Sequence, residues 1–217
     1  MSITNNLKHI KEQLPENVTL VAVSKTKPVS DILQAYDAGQ RIFGENKIQD
    51  MVEKYNEMPK DIAWHMIGHV QRNKVKYMAH FVNLIHGVEN LKTLKEINKQ
   101  AAKHNRVIDC LLQIKIASED SKFGMTAIEA SEILKSNAFS ELKNVNVTGV
   151  MGMATFTEDQ EQVRKEFNAL KTTFNRLKEI HLILTTISMG MSGDFKLAID
   201  CGSTMVRVGS SIFGSRN

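Results

Sequence analysis

Short apolar-rich segments alternate along this chain with segments whose apolar positions recur at helical spacing. Ile3, Leu7, Ile10 and Leu14 make a helical stripe, so residues 2–14 read as a leading helix that stops before Pro15. Leu20 to Val23 then run without interruption, the pattern of a strand buried on both faces, as in a parallel sheet. That first strand is expected over 19–25, with Lys25 at its carboxyl end and Pro28 stopping it. The same alternation continues. Strands are expected at 41–46, 62–68, 81–88, 106–116, 145–154, 184–190 and 204–209. Helices are expected between them: one capped by Ser30 or Asp31 and closed by Gly39, others near 47–58, 91–101, 126–137 and 193–200, and a short basic one around 71–76. The clearest amphipathic helix carries Val163, Phe167, Leu170, Phe174 and Leu177.

Eight buried strands alternating with helices, behind an extra N-terminal helix, is the count of a (β/α)8 TIM barrel. The 217 residues fit one such domain, 1–217, without a linker or low-complexity tract. An open doubly wound sheet also alternates, but no dinucleotide fingerprint follows the first strand. Composition adds exclusions. The 28 basic and 24 acidic residues leave a net charge of +4 with mixed signs, which gives no reason to expect nucleic acid or a membrane surface as partner. No run approaches the roughly 18 apolar residues of a membrane span, and the N-terminus lacks a signal-peptide core, so a cytoplasmic protein is expected. Cys110 and Cys201, far apart and in apolar settings, read as buried thiols.

In a (β/α)8 barrel, function gathers at the carboxyl ends of the strands, and phosphate commonly binds after strands seven and eight. Both places turn glycine- and serine-rich here: Ser188-Met-Gly-Met-Ser-Gly193 and Gly209-Ser-Ser211. Such loops bring backbone N–H groups and hydroxyls to an anion. Arg207 shares a strand face with Gly209 by alternation. Lys25, an amine at a buried strand end, is a candidate nucleophile; the bland alternative is a lysine snorkelling to solvent. A phosphate anchor opposite a desolvated lysine suits a Schiff base with pyridoxal phosphate (PLP). Arg207 would then face the ring nitrogen, keep it unprotonated and weaken the electron sink. His65 and His69 have no matched carboxylate and are read as loop or rim histidines rather than metal ligands. Met151 to Met153 read as barrel filling.

The segments Ala22-Val-Ser-Lys-Thr-Lys-Pro28, Phe43-Gly-Glu-Asn46, Trp64-His-Met-Ile-Gly-His-Val-Gln71, Ser188-Met-Gly-Met-Ser192 and Gly202-Ser-Thr-Met-Val-Arg-Val-Gly209 carry a resemblance across essentially the whole chain. It resembles the pyridoxal-phosphate homeostasis protein family, also described as proteins of the alanine-racemase N-terminal-domain type. The resemblance implies one barrel holding PLP as an aldimine on Lys25, with Arg207 at the pyridine nitrogen. It puts Gly209, Ser210 and the serines Ser188 and Ser192 around the phosphate, and Asn46 along the pocket. Which of Ser188 and Ser192 is closer stays open, as does a part for Lys27 or Lys122 in receiving or releasing cofactor. The implied function is non-catalytic control of PLP and vitamin B6 levels, by a monomer or weak dimer, with PLP-dependent apoenzymes as candidate recipients. Two alternatives remain: a weak PLP-dependent amino-acid racemase, and an aldolase-type barrel using Lys25 without cofactor. Racemisation needs a base on each cofactor face. In alanine racemases one of them is a tyrosine from a C-terminal β-domain; this chain reaches Asn217 directly after strand eight, and Tyr36, Tyr55 and Tyr77 all fall in expected helices.

Overall fold

The computed structural model describes residues 2–117 and 123–214. Eight parallel strands close into a barrel in sequence order: β1 (Thr19–Val23), β2 (Ile42–Glu45), β3 (Ala63–Met66), β4 (Leu84–Val88), β5 (Ile108–Gln113), β6 (Val145–Met151), β7 (Thr186–Ser188) and β8 (Met205–Val208). The expected (β/α)8 architecture is thus the observed one. β1 closes the barrel against β8 with Val21 opposite Arg207. α1 (Ile3–Lys11) precedes the barrel, and α2 (Val29–Asp37), α3 (Ile48–Glu57), α4 (Val75–Met78) and α5 (Leu91–Ala102) follow successive strands. Next come α6 (Ala127–Lys135), α7 (Asn137–Ser140), α8 (Gln160–Ile180), α9 (Phe195–Asp200) and α10 (Ser210–Phe213).

The strands end earlier than the expected segments, whose last residues belong to the loops that leave the barrel mouth. Lys25 therefore lies two residues beyond β1, in a turn. α2 also begins earlier than its expected caps: Pro28 is the N-cap, at φ −69°, and no side chain caps the helix. Proline's fixed φ presets the helix entry, so Ser30 and Asp31 fall inside the first turn. The stretch after β8 folds into the single turn of α10.

Alternation along the strands separates two cores. Ala22, Phe43, Ile85, Leu112, Val150 and Val206 face the helices and join the large cluster there. Val21, Leu84, Leu111, Met151 and Met205, from five strands, form a small second cluster that fills the barrel. Two residues further along the same inward faces come Val23, His86, Gln113 and Arg207, so the layer above the apolar plug is largely polar. Met151 fills the barrel as expected, whereas Met153 packs on the plug and also borders the space above it. Both cysteines are buried free thiols, and burial pushes both up in pKa. Among the described residues, no helix is long and apolar enough to cross a membrane, and no cluster of metal-ligating side chains occurs.

Candidate ligand site at the carboxyl end of the barrel

A cavity of about 530 Å³ opens at the carboxyl ends of the strands. That lies within the roughly 300–1,000 Å³ typical of small-molecule sites. Lys25, Asn46, Ser192, Arg207, Gly209 and Ser210 all line it. Chain segments up to 185 residues apart in sequence are brought to one mouth because each lies at or beyond the carboxyl end of a strand. Lys25 is half-buried, in a turn closed by the Lys27 N–H donating to the Ser24 carbonyl at 3.0 Å. Thr26 in that turn has φ 66°, left-handed backbone that costs a β-branched residue about 1–3 kcal/mol. Lys27 also borders the cavity; Lys122 lies outside the described residues. Asn46 is held from above by Gly68, where a Cβ would come within 2.3 Å of the Asn46 carbonyl oxygen.

At the far side, Ser192 and the start of α10 make a cluster of anion-type donors. The Gly209 and Ser211 N–H groups both donate to Ser192 Oγ, at 3.1 and 3.4 Å. Gly190 makes the loop possible, at φ 95° and with a Cβ position only 2.6 Å from Ala198 Cβ. A hydroxyl that accepts two amide hydrogens at a cavity wall keeps its own proton to offer to an anionic group.

Ser188 does not reach the cavity. It is fully buried on β7, facing into the barrel beneath Arg207. The Arg207 guanidinium donates from Nη1 to Ser188 Oγ at 2.6 Å and to the Ser188 carbonyl at 2.9 Å, and from Nη2 to the Gly152 carbonyl at 3.1 Å. Arginine only donates, so the Ser188 hydroxyl has its own proton for His86 Nδ1, 3.0 Å away. In the tautomer that accepts this bond, with its proton on Nε2, His86 donates to His65 Nδ1 at 3.1 Å. The result is a line of donors running from Arg207 into the barrel. Burial lowers the Arg207 pKa to about 10, which leaves it protonated at neutral pH.

His65 is therefore a buried residue of β3 and no rim histidine; His69 does sit at the rim, 3.3 Å from Glu89 and stacked on Phe123. Sequence reading missed His86 altogether. Its signal was alternation, since His86 stands two residues after the inward-facing Leu84.

Burial lowers the pKa of His65 from 6.5 to about 3, and burial, His65 and Arg207 together hold His86 well below 6.5. Both are neutral when folded but gain protons near their ordinary value when unfolded. Their contribution to stability is complete above pH 6.5 and is lost as pH falls toward 3. His65 loses up to about 1.4 kcal/mol per pH unit, about 2 kcal/mol between about pH 7 and about pH 5, and His86 shifts stability in the same direction. Chemical denaturation across that range is expected to show stability falling as pH falls, and His65→Asn is expected to make the fall shallower. An unchanged slope in the variant would contradict the assignment.

None of Tyr36, Tyr55 and Tyr77 lines the cavity. They lie on α2, α3 and α4, on the outside of the barrel.

The chain is similar to known proteins over its whole length. The family profile described as alanine racemase, N-terminal domain, matches residues 1–217. A pyridoxal phosphate homeostasis protein of Vibrio alginolyticus is 38% identical over 231 residues, covering 100% of this chain and 98% of the relative. One from Escherichia coli K12 is 34% identical over 229 residues, covering 99% and 97%. PipY of Synechococcus elongatus PCC7942, in a structure with PLP bound, superposes with a TM-score of 0.90 at 32% identity, covering 98% of this chain and 100% of PipY. An alanine racemase of Clostridium difficile 630 superposes with a TM-score of 0.83 but is 17% identical and covered over only 60% of its length, a likeness of fold alone.

Proposed function

Because the chain belongs to the alanine racemase N-terminal-domain family, we propose that it is a PLP-binding protein of PLP homeostasis that holds the cofactor on Lys25. The observation that carries this reading is one cavity bordered by a lysine, a buried arginine and a serine–amide cluster. That donor set matches the three ends of PLP: an amine for its aldehyde, an N–H for its pyridine nitrogen, and neutral donors for its phosphate. When bound, PLP supplies an electrophilic carbon and, if its ring nitrogen is protonated, an electron sink.

The chain's own groups favour retention over turnover. Lys25 Nζ anchors the ligand. Arg207, protonated and fixed by Ser188 and Gly152, presents N–H to the ring nitrogen and withholds a proton from it. Gly209, Ser210 and Ser192 receive the phosphate, and Asn46 packs along the ring. Ser188 acts one step back, by holding Arg207. No tyrosine borders the cavity to serve as a second base, so we read the protein as a carrier and regulator rather than a racemase. Residues 1–217 act in this reading as a single domain in the cytoplasm, as a monomer or weak dimer, and PLP-dependent apoenzymes are the recipients.

Ser192→Ala removes the hydroxyl that organises the Gly209 and Ser211 amides. It is expected to weaken PLP affinity about tenfold, the worth of one to two hydrogen bonds, with little change in stability. Equilibrium dialysis measures this. An affinity equal to wild type would move the phosphate away from this loop. The carrier reading itself is tested by assaying alanine and other amino acids for racemisation by the PLP-loaded protein. Activity well above that of Lys25→Ala would overturn it in favour of an enzyme.

A further inference from the structure

Two buried charged residues that do not line the cavity converge on the backbone that carries Lys25. Gly44 faces into the barrel, its Cβ position 2.9 Å from Val21 and 3.2 Å from Ile67. Its neighbour Glu45 therefore points outward, toward α3. There Lys54 meets it, with Nζ 2.7 Å from Glu45 Oε1. Both residues are buried, and Glu45 completely so. Lys54 Nζ also donates to the Ser24 carbonyl at 2.8 Å, and the Ser24 hydroxyl donates to the same Glu45 oxygen at 2.6 Å. The Ser24 carbonyl is the one that closes the Lys25 turn by accepting the Lys27 N–H. Glu45 and Lys54 thus grip the first residue of a turn that Thr26 strains.

This pair is poorly explained as a source of stability. Burial pushes the Glu45 carboxyl up in pKa, against the pull of Lys54 and Ser24 and with a small addition from Asp50. Its second oxygen, Oε2, is buried with no hydrogen-bond partner among the described residues. Buried ion pairs commonly cost as much in desolvation as they return. What the pair does accomplish is local: both of its members end on Ser24, the residue before Lys25.

We propose that Glu45 and Lys54 are positioning residues for Lys25, clamping Ser24 so that the strained turn presents the Lys25 amine to the cofactor aldehyde. The proposal rests on the reading of Lys25 as the PLP-bearing lysine. Its chemistry is condensation: the amine adds to the aldehyde carbon, and the carbonyl oxygen leaves as water, so only the amine's placement depends on the pair.

The test is the full-length double variant Glu45→Gln/Lys54→Met, which removes both charges together and leaves neither one unpaired. Wild type and variant are mixed with PLP, quenched with borohydride at intervals, and analysed for total bound and covalently fixed cofactor. Fixation is expected to be about tenfold slower or more in the variant, the scale of a misplaced reacting group, with total binding and melting temperature close to wild type. Glu45→Gln alone keeps both hydrogen-bond partners and is expected to fall between the two, which covers a double variant that does not fold. Fixation at the wild-type rate in these variants overturns the proposal. So does a loss of binding and stability that leaves the fixed-to-bound ratio unchanged, since that is a purely structural role. A wild type that fixes no PLP at Lys25 defeats the cofactor reading, and the positioning role with it.

Discussion

Lys25→Ala is expected to abolish covalent retention of PLP. No visible Schiff-base absorption should develop on adding PLP, and borohydride should fix none. Noncovalent binding should survive at reduced affinity, because Arg207 and the Ser192–Gly209–Ser210 wall remain. The effect is larger than any hydrogen-bond deletion because it removes a covalent bond. Lys27, which also borders the cavity two residues away, is the natural competitor. Its place on the far side of the Ser24–Lys27 turn gives it a different approach to the cofactor, so it should not substitute. A Lys25→Ala protein that is still fixed by borohydride at Lys27 would refute this assignment of roles.

Arg207→Met is expected to have the second largest effect, on both stability and binding. The guanidinium is buried and gives three hydrogen bonds, two to Ser188 and one to Gly152. Methionine fills much of the volume but strands those acceptors, at a cost of about 3 kcal/mol, or about 10 °C in melting temperature for a chain of this length. The Ser188 hydroxyl also loses the donor that orders the His86–His65 line. PLP affinity should fall by a factor of about ten to a hundred through loss of a charge-assisted donor at the ring nitrogen. Differential scanning calorimetry and dialysis would read the two effects separately. Wild-type stability would show that the buried hydrogen bonds of Arg207 contribute nothing net.

The barrel was legible because its signals are local and periodic. Leu20–Val23 reads as a strand without knowledge of its neighbours, and the stripe of α8 reads as a helix for the same reason. Lys25, Arg207 and Gly209 were legible because barrel topology assigns meaning to strand ends. Asn46 was placed only through resemblance to a family. What escaped was depth. Alternation shows that Ser188 and Arg207 both point inward, but not that the shorter side chain lies below the longer one, as its bond to the guanidinium reveals. His65 and His86 are 21 residues apart, and their contact exists only because β3 and β4 are adjacent around the closed sheet. The Glu45–Lys54 pair was hidden for a similar reason. A charged residue at a strand end and another on the next helix look like ordinary surface positions until the turn after β1 folds over them.

Whether Lys25 carries the cofactor is read out by peptide mapping with mass spectrometry after the PLP-loaded protein is reduced with borohydride. The prediction is a single phosphopyridoxyl modification, on Lys25. Modification of Lys27 or another lysine in its place, or none at all under saturating PLP, would contradict it.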